Sequence, residues 1–296
     1  MARGHDYIAS FRVVRLIRSG STCQIYEAIN DNTGQKVALK TLVAERRKDK
    51  TELKYLQHEF DVAKEFKSAF INKVYGVDTK HSVPYLSIEF SPFQNLKQRL
   101  RGEYDLMNYH ASTVINNILQ GLNFLHDQGW VHCDVKPDNF LVDDEGHCKL
   151  IDFALAVKIP TKFGRMLGGG KSKTIAGTRS YMSPEQIRRQ SLDSRSDIYS
   201  LGCMLTEITT GKVPFTGDSP GDLLTRHLRM KAPLICSVDT NITLEFSHLV
   251  DEMLNKHPAD RPDSIAVILG RLNAMRIYKA QPIHPSQMSN ADDAEF

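Results

Sequence analysis

Apolar and polar positions follow two different rhythms along this chain. From Tyr7 to Phe90 the apolar residues come in short runs rich in β-branched and aromatic side chains. These are 11–17, 24–29 and 36–42, with the turn Asn30-Asp31-Asn32-Thr33-Gly34 between the last two. Runs of this kind, bounded by turn residues, predict strands. Two more are expected at 74–77 and 85–90. One segment breaks the rhythm: Leu53, Leu56, Phe60, Ala63 and Phe66 recur at helical spacing, which predicts a helix over 52–66.

Beyond Ser91-Pro92 the texture changes. Residues 111–128 and 196–210 predict helices whose apolar residues suit a buried core, and further helices are expected at 222–230, 243–255 and 264–277. The stretch 281–296 is polar, carries two prolines and predicts a loose tail. No internal repeat is visible. The expectation is an α+β fold in two lobes: a β-rich lobe with one helix over 1–90, a mainly helical lobe over 91–280, and the tail. Junctions between such lobes are favoured places for ligands.

Composition narrows the class without deciding it. The 296 residues are enough for two modest cores, and 41% hydrophobic with 25% charged residues is an ordinary globular balance. A net charge of only +3 gives no reason to expect nucleic acid or a membrane surface as partner. The five cysteines (Cys23, Cys133, Cys148, Cys203 and Cys236) are scattered, with no Cys-x-x-Cys spacing. That argues against a disulfide framework or a zinc site and for a reducing compartment. The start Met-Ala-Arg-Gly-His-Asp lacks the apolar core of a signal peptide, and no run approaches the roughly 18 apolar residues of a membrane span. A cytoplasmic protein is expected.

The chemistry concentrates between Val131 and Ala154. Val-His-Cys-Asp-Val-Lys-Pro-Asp-Asn-Phe-Leu-Val is followed by Lys-Leu-Ile-Asp-Phe-Ala. Phosphoryl transfer needs a group that accepts a hydroxyl proton, a cation beside the moving phosphate and oxygen ligands for magnesium. Asp134, Lys136, Asn139 and Asp152 are residues of those types. A lone loop aspartate is an N-cap or a solvated side chain; the ordered set is what makes Asp134 a candidate base. The pattern resembles the catalytic and magnesium-binding loops of the protein kinase superfamily. Cys133 and Ala154 stand where that family usually has arginine and glycine.

The resemblance extends over residues 10–279 and implies a role for each matching position. Lys40, in Val37-Ala38-Leu39-Lys40, matches the strand lysine that faces nucleotide phosphates. Its ion-pair partner on the following helix is Glu59, 19 positions on, with Glu52 and Glu65 as competitors. The glycine-rich loop falls on 18–25, where Gly20 is the one glycine kept and Arg18 and Cys23 replace the others; these side chains are expected to stiffen the hairpin. Ile17, Gly20, Ile25, Ala38, Lys40, Ile88, Glu89, Ser91, Asn139, Leu141 and Asp152 are the implied ATP contacts. Ile88 takes the gatekeeper position, Glu89 and Ser91 meet adenine through their backbones, and Asn139 and Asp152 hold Mg2+. Lys136 is the residue the family uses for serine and threonine acceptors. His132 has the family's structural role beneath the magnesium loop.

Gly177-Thr178-Arg179-Ser180-Tyr181-Met182-Ser183-Pro184-Glu185 is similar to the family's peptide-docking segment, which implies a protein substrate. Thr178 is expected to bond Asp134 and Lys136, Glu185 to pair with Arg261, and Asp197 to anchor the catalytic loop. Cys133 cannot make the charge-assisted contact with a phosphorylated loop that arginine makes, so activity is expected not to depend on it. Ala154 is expected to reduce switching of the magnesium loop. Lys158, Lys162, Arg165, Lys171 and Lys173 form a basic stretch that either favours acidic partners or is simply solvated. Ser172 and Thr174 are candidate autophosphorylation sites.

The reading is a Ser/Thr protein kinase using ATP and Mg2+. Asp134 orients the hydroxyl, Lys136 stabilises the transferring charge, and Lys40 with Glu59 sets the phosphates. The chain is similar to bacterial Hanks-type enzymes. The Pro-Asp-Asn-Phe-Leu wording also resembles casein-kinase-like enzymes, which typically lack the Pro184-Glu185 pair. The alternative is a pseudokinase or scaffold, suggested by Arg18, Cys23, Cys133 and Ala154. A kinase-fold enzyme acting on a small hydroxyl compound is a third reading, opposed by Lys136, Thr178 and Pro184-Glu185.

Overall fold

The computed structural model describes residues 6–159 and 177–287. The chain divides into two compact units, Met1–Pro92 with Ile151–Leu155, and Phe93–Leu150 with Ala156–Phe296. The return of five residues to the first unit carries Asp152 with it, which the linear pattern of the chain does not reveal.

The first unit is a six-stranded antiparallel sheet in the order β1-β2-β3-β4-β6-β5. The strands are β1 (Tyr7–Ile8), β2 (Phe11–Ser19), β3 (Cys23–Asn30), β4 (Lys36–Leu42), β5 (Val74–Asp78) and β6 (Tyr85–Glu89). Ile8, Phe11, Ala28, Val37 and Leu39 form a buried cluster, with Val13, Tyr26, Val83 and Tyr85 packed against it. Helix α1 (Lys50–Ala63) starts earlier than its apolar spacing predicts because Asp49 caps it, accepting from the Thr51 N–H at 2.9 Å. It also ends earlier, so Phe66 leaves the helix. Phe66 packs edge-on against Phe153 at 5.8 Å between ring centres.

The second unit holds the remaining helices: α2 (Leu96–Gly102), α3 (Tyr104–Tyr109), α4 (Ala111–Asp127), α5 (Pro184–Ile187), α6 (Ser194–Thr210), α7 (Pro220–Arg229), α8 (Ile235–Val238), α9 (Leu244–Met253) and α10 (Ile265–Leu272). Asp193, Ser219, Thr243 and Ser264 cap α6, α7, α9 and α10 through their side chains. Helix α6 is buried from Ser196 to Thr209, as a helix at the centre of a large core must be. Gly202 lets α9 approach: a Cβ there would sit 3.1 Å from Met253 Cβ.

The apolar pattern over 264–277 divides into two structures. Its first half is α10, and its last residues are buried by an isolated bridge, Ile242 to Tyr278. Thr243 N–H also donates to Ile277 O at 2.9 Å. Beyond it, Gln281 Nε2 donates to Tyr109 O at 3.1 Å.

Short strand pairs frame the loops that carry the chemistry. β7 (Trp130–Val131) pairs with β10 (Val157–Lys158), and β8 (Phe140–Val142) pairs with β9 (Cys148–Leu150). Residues 132–139 therefore run between β7 and β8, clamped at both ends. Among the described residues no helix is long and apolar enough to cross a membrane.

Arg261 and Glu185 close the second unit from inside. Nη1 and Nη2 donate to the two carboxylate oxygens at 2.7 and 2.9 Å, while Nε donates to Asn255 O at 2.8 Å. Further bonds go to Arg195 O and Lys256 O, and Ser196 Oγ donates to Glu185. Breaking a fully buried pair strands the other charge. Arg261→Met is expected to lower unfolding free energy by about 3–5 kcal/mol in urea titration, with Glu185→Gln beside it recovering part of the loss. A single-variant loss under about 1 kcal/mol contradicts this assignment.

Candidate active site

Strand pairing gathers one set of expected residues in the first unit. Ile25 lies opposite Lys40, and Ala38 lies opposite Ile88. Opposed residues share a sheet face, as do residues two apart, so Ile25, Ala38, Lys40 and Ile88 line the same face. Ile17 is the extra residue in a bulge between Leu16 and Arg18 and is 43% exposed. At the hairpin tip Gly20 N–H donates to Cys23 O at 2.8 Å, closing a four-residue turn.

Lys40 Nζ lies 2.6 Å from Glu59 Oε2 and 3.1 Å from Asp152 Oδ1. Of the three candidate glutamates it is Glu59, 3% exposed, that pairs with Lys40. Burial opposes the Lys40 charge, but the Asp152 and Glu59 carboxylates outweigh it and raise the ammonium's pKa. Burial also pushes Glu59 up to about 7. Lys40 pulls it down, yet Asp152 is a second carboxylate on the same cation and works the other way. Asp152 itself has a left-handed backbone, φ 67°, and its carboxylate accepts the Ala154 N–H at 3.3 Å. Phe153 is buried at 1% exposure.

Glu89 is more constrained than its sequence position suggests. Its N–H donates to Lys73 O at 2.8 Å, and its carbonyl accepts from Asn72 Nδ2 at 2.9 Å. A base can therefore reach Glu89 only through that carbonyl's second lone pair. Ser91 follows at partial exposure.

The second set lies in the helical unit, on the loop between β7 and β8. Asp134 Oδ1 accepts from Thr178 N–H at 2.9 Å and from Thr178 Oγ1 at 3.1 Å. Oδ2 lies 2.6 Å from Lys136 Nζ and 3.2 Å from Asn139 Nδ2. Lys136 also donates to Thr178 Oγ1 at 2.6 Å. Asn139 is fixed by a second bond, Nδ2 to Asp134 O at 2.8 Å. Leu141, half-buried on β8, pairs with Lys149 and bridges to Asn95.

Several supports lie under this loop. Asp197 accepts the N–H groups of His132 and Cys133 at 2.7 and 2.9 Å. Two others were not singled out by the sequence pattern: His126 Nε2 is 2.8 Å from Asp197 Oδ2, and Gln186 Nε2 donates to Cys133 O at 2.7 Å. Neither residue carries a motif; only the Ser183–Gln186 capping box, read as the start of α5, points to Gln186. Cys133 has φ 67° and is 6% exposed, and burial raises its thiol pKa well above the ordinary value. Its side chain faces the core. The candidate autophosphorylation sites Ser172 and Thr174, with Lys162, Arg165, Lys171 and Lys173, lie outside the described residues.

Comparison with known proteins identifies the family. The family described as the protein kinase domain matches residues 11–270. Serine/threonine-protein kinase PknL of Mycobacterium bovis is 33% identical over 85% of this chain and 62% of its own length. Serine/threonine-protein kinase PknB of Mycobacterium tuberculosis is 29% identical over 96% of this chain and 45% of its own length. The probable serine/threonine-protein kinase pknA2 of Bifidobacterium longum is 28% identical over 84% of this chain and 33% of its own length. The chain thus spans between a third and just under two thirds of these relatives.

Burial, with Asp152 adding to it, makes Glu59 a pH-sensitive group. Its pKa in the folded chain, about 7, is above the ordinary 4.5, so the folded state holds its proton more tightly than the unfolded state. The stability it contributes is complete below the unfolded value and is lost as pH rises through about 7. Glu59→Gln is expected to flatten the change in unfolding free energy between the two values. A pH profile identical to that of the unsubstituted chain contradicts this.

Proposed function

Because the chain belongs to the protein kinase domain family, we propose that it transfers the γ-phosphate of ATP to serine or threonine hydroxyls of proteins. The observation that carries this reading is the bonding of Asp134 with Lys136 and Thr178. A carboxylate oriented on both oxygens is a fit acceptor for a hydroxyl proton. Its acceptor sites are already engaged by the chain's own donors. An entering hydroxyl must share or displace one of them. Lys136 is the donor suited to move, since its flexible stem lets the ammonium turn from Asp134 Oδ2 towards the transferring phosphate.

Lys40 binds the phosphates, and Glu59 keeps its ammonium charged and aimed. Ile17, Ala38, Ile88 and Leu141 supply apolar contact to the base, Gly20 and Ile25 border the phosphates, and Glu89 and Ser91 meet adenine with backbone groups. Asn139 and Asp152 offer the amide and carboxylate oxygens that a hard cation such as Mg2+ prefers. Held there, Mg2+ would neutralise charge on the phosphates during transfer of the γ-phosphoryl group. No residue of that donor set is a thiol or an imidazole, which suits magnesium better than a soft metal.

Lys136 and the names of the relatives support serine and threonine as acceptors. Ser172 or Thr174 is the proposed autophosphorylation site. All five cysteines are free thiols, which supports a reducing compartment, the cytoplasm, for this domain.

Labelled γ-phosphate, with magnesium, on the chain itself and on a generic basic protein tests the reading. Label is expected on serine or threonine, and Asp134→Asn is expected to lower its rate by about 10²–10⁴-fold with an unchanged thermal melt. Label that persists within about tenfold in that variant, or that sits on tyrosine alone, contradicts the proposal.

A further inference from the structure

Glu207 lies on α6 beyond Asp197 and is 6% exposed. A carboxylate this deep needs a cation and hydrogen bonds to be tolerated. Tyr181 OH donates to Oε2 at 2.5 Å, and the Lys97 ammonium, from α2, donates to Oε1. Lys97 Nζ also lies 3.3 Å from Tyr181 OH. The three side chains form one closed network between α2, α6 and the docking segment.

That network sits beside the place where an acceptor hydroxyl must arrive. Tyr181 N–H donates to Thr178 O at 3.0 Å, and Thr178 in turn bonds Asp134. Tyr181 O accepts from Ser200 Oγ at 2.7 Å, which fastens the segment to α6. Burial raises the pKa of the Tyr181 hydroxyl first, then the Glu207 charge, and Asp138 of the catalytic loop adds to it.

The two members of the ion pair differ in access. The Lys97 side chain is 22% exposed and that of Glu207 8%. The lysine is thus the outer member, on a long flexible stem, and the carboxylate is the fixed inner one. A basic side chain of a docked polypeptide would meet Glu207 only by taking the place that Lys97 holds.

We propose that Lys97 is a specificity-determining residue. It fills, from within the chain, the cation position on Glu207 that a lysine or arginine of the acceptor protein would otherwise occupy. Acceptors therefore need no basic residue near the modified serine or threonine. Removing the Lys97 charge opens the position and creates that need. This inference rests on the protein kinase reading above.

The test uses the full chain with Mg-ATP and a serine peptide flanked by alanines. Its variants carry one arginine at each of the three positions on either side. The quantity read is the ratio of kcat/KM, arginine peptide over alanine peptide. The unsubstituted chain and Lys97→Arg are expected to give ratios near one at every position. Lys97→Met is expected to raise the ratio about tenfold or more at one position. Lys97→Gln, read the same way, replaces it should the methionine variant melt early. An unmoved ratio in the neutral variant that folds overturns the inference, as does a chain that already favours an arginine peptide about tenfold. If the chain labels a generic basic protein while the ratio stays put, this inference alone fails. If it labels no protein and no peptide, the kinase reading fails with it.

Discussion

Two adjacent backbone N–H groups, those of His132 and Cys133, converge on one carboxylate that solvent does not reach. Asp197 is 0% exposed, in the first turn of a helix that is buried from Ser196 to Thr209. Charge-assisted bonds at 2.7 and 2.9 Å in such a place are strong because no solvent competes for them. They also carry a conformational cost. Cys133 has a left-handed backbone, unfavourable for a residue with a Cβ, and strain of this kind persists only where the surroundings over-determine it. The Gln186 amide on Cys133 O completes that over-determination. Asp134 is the next residue, so its position follows from these bonds.

The ion pairs of the chain divide by burial and satisfaction. Arg261 uses every donor of its guanidinium on Glu185 and three carbonyls, at 0% side-chain exposure. Such a pair fixes a shape and has nothing left for a ligand. Lys40 and Lys136 are different. Each ammonium is shared between two oxygen partners and keeps some exposure, 12% and 19%. A shared, partly open cation can exchange an internal partner for a phosphate at little cost, which the Arg261 pair cannot. The same distinction separates Glu207 from its outer partner Lys97.

Long elements were legible because they run long enough for their apolar positions to repeat. The sheet strands at 11–19, 23–30 and 36–42 and the helices at 111–127 and 194–210 match the expected segments to within a few residues. The shifts at their starts follow caps such as Asp49 and Asp193, whose oxygens satisfy the first N–H groups. The elements that escaped are too short to show a period. β7 to β10 have two or three residues each, and α2 announces itself only by the Asn95–Gln98 capping box. At the site, motif spacing named Asp134, Lys136 and Thr178, because covalent order fixes their neighbourhood. It could not name His126, Asn72 or Lys97, whose partners lie 71, 17 and 110 positions away and depend on how helices pack.

If the Asp197 carboxylate holds the catalytic loop, its two N–H partners should be among the last in the chain to open. Native-state hydrogen exchange at the amides of His132 and Cys133 measures this directly. The account predicts that both exchange only on unfolding of the helical unit, with the same opening free energy as core amides of α6 such as Met204. Exchange of the two loop amides through a separate, low-energy local opening, while Met204 stays protected, would contradict it.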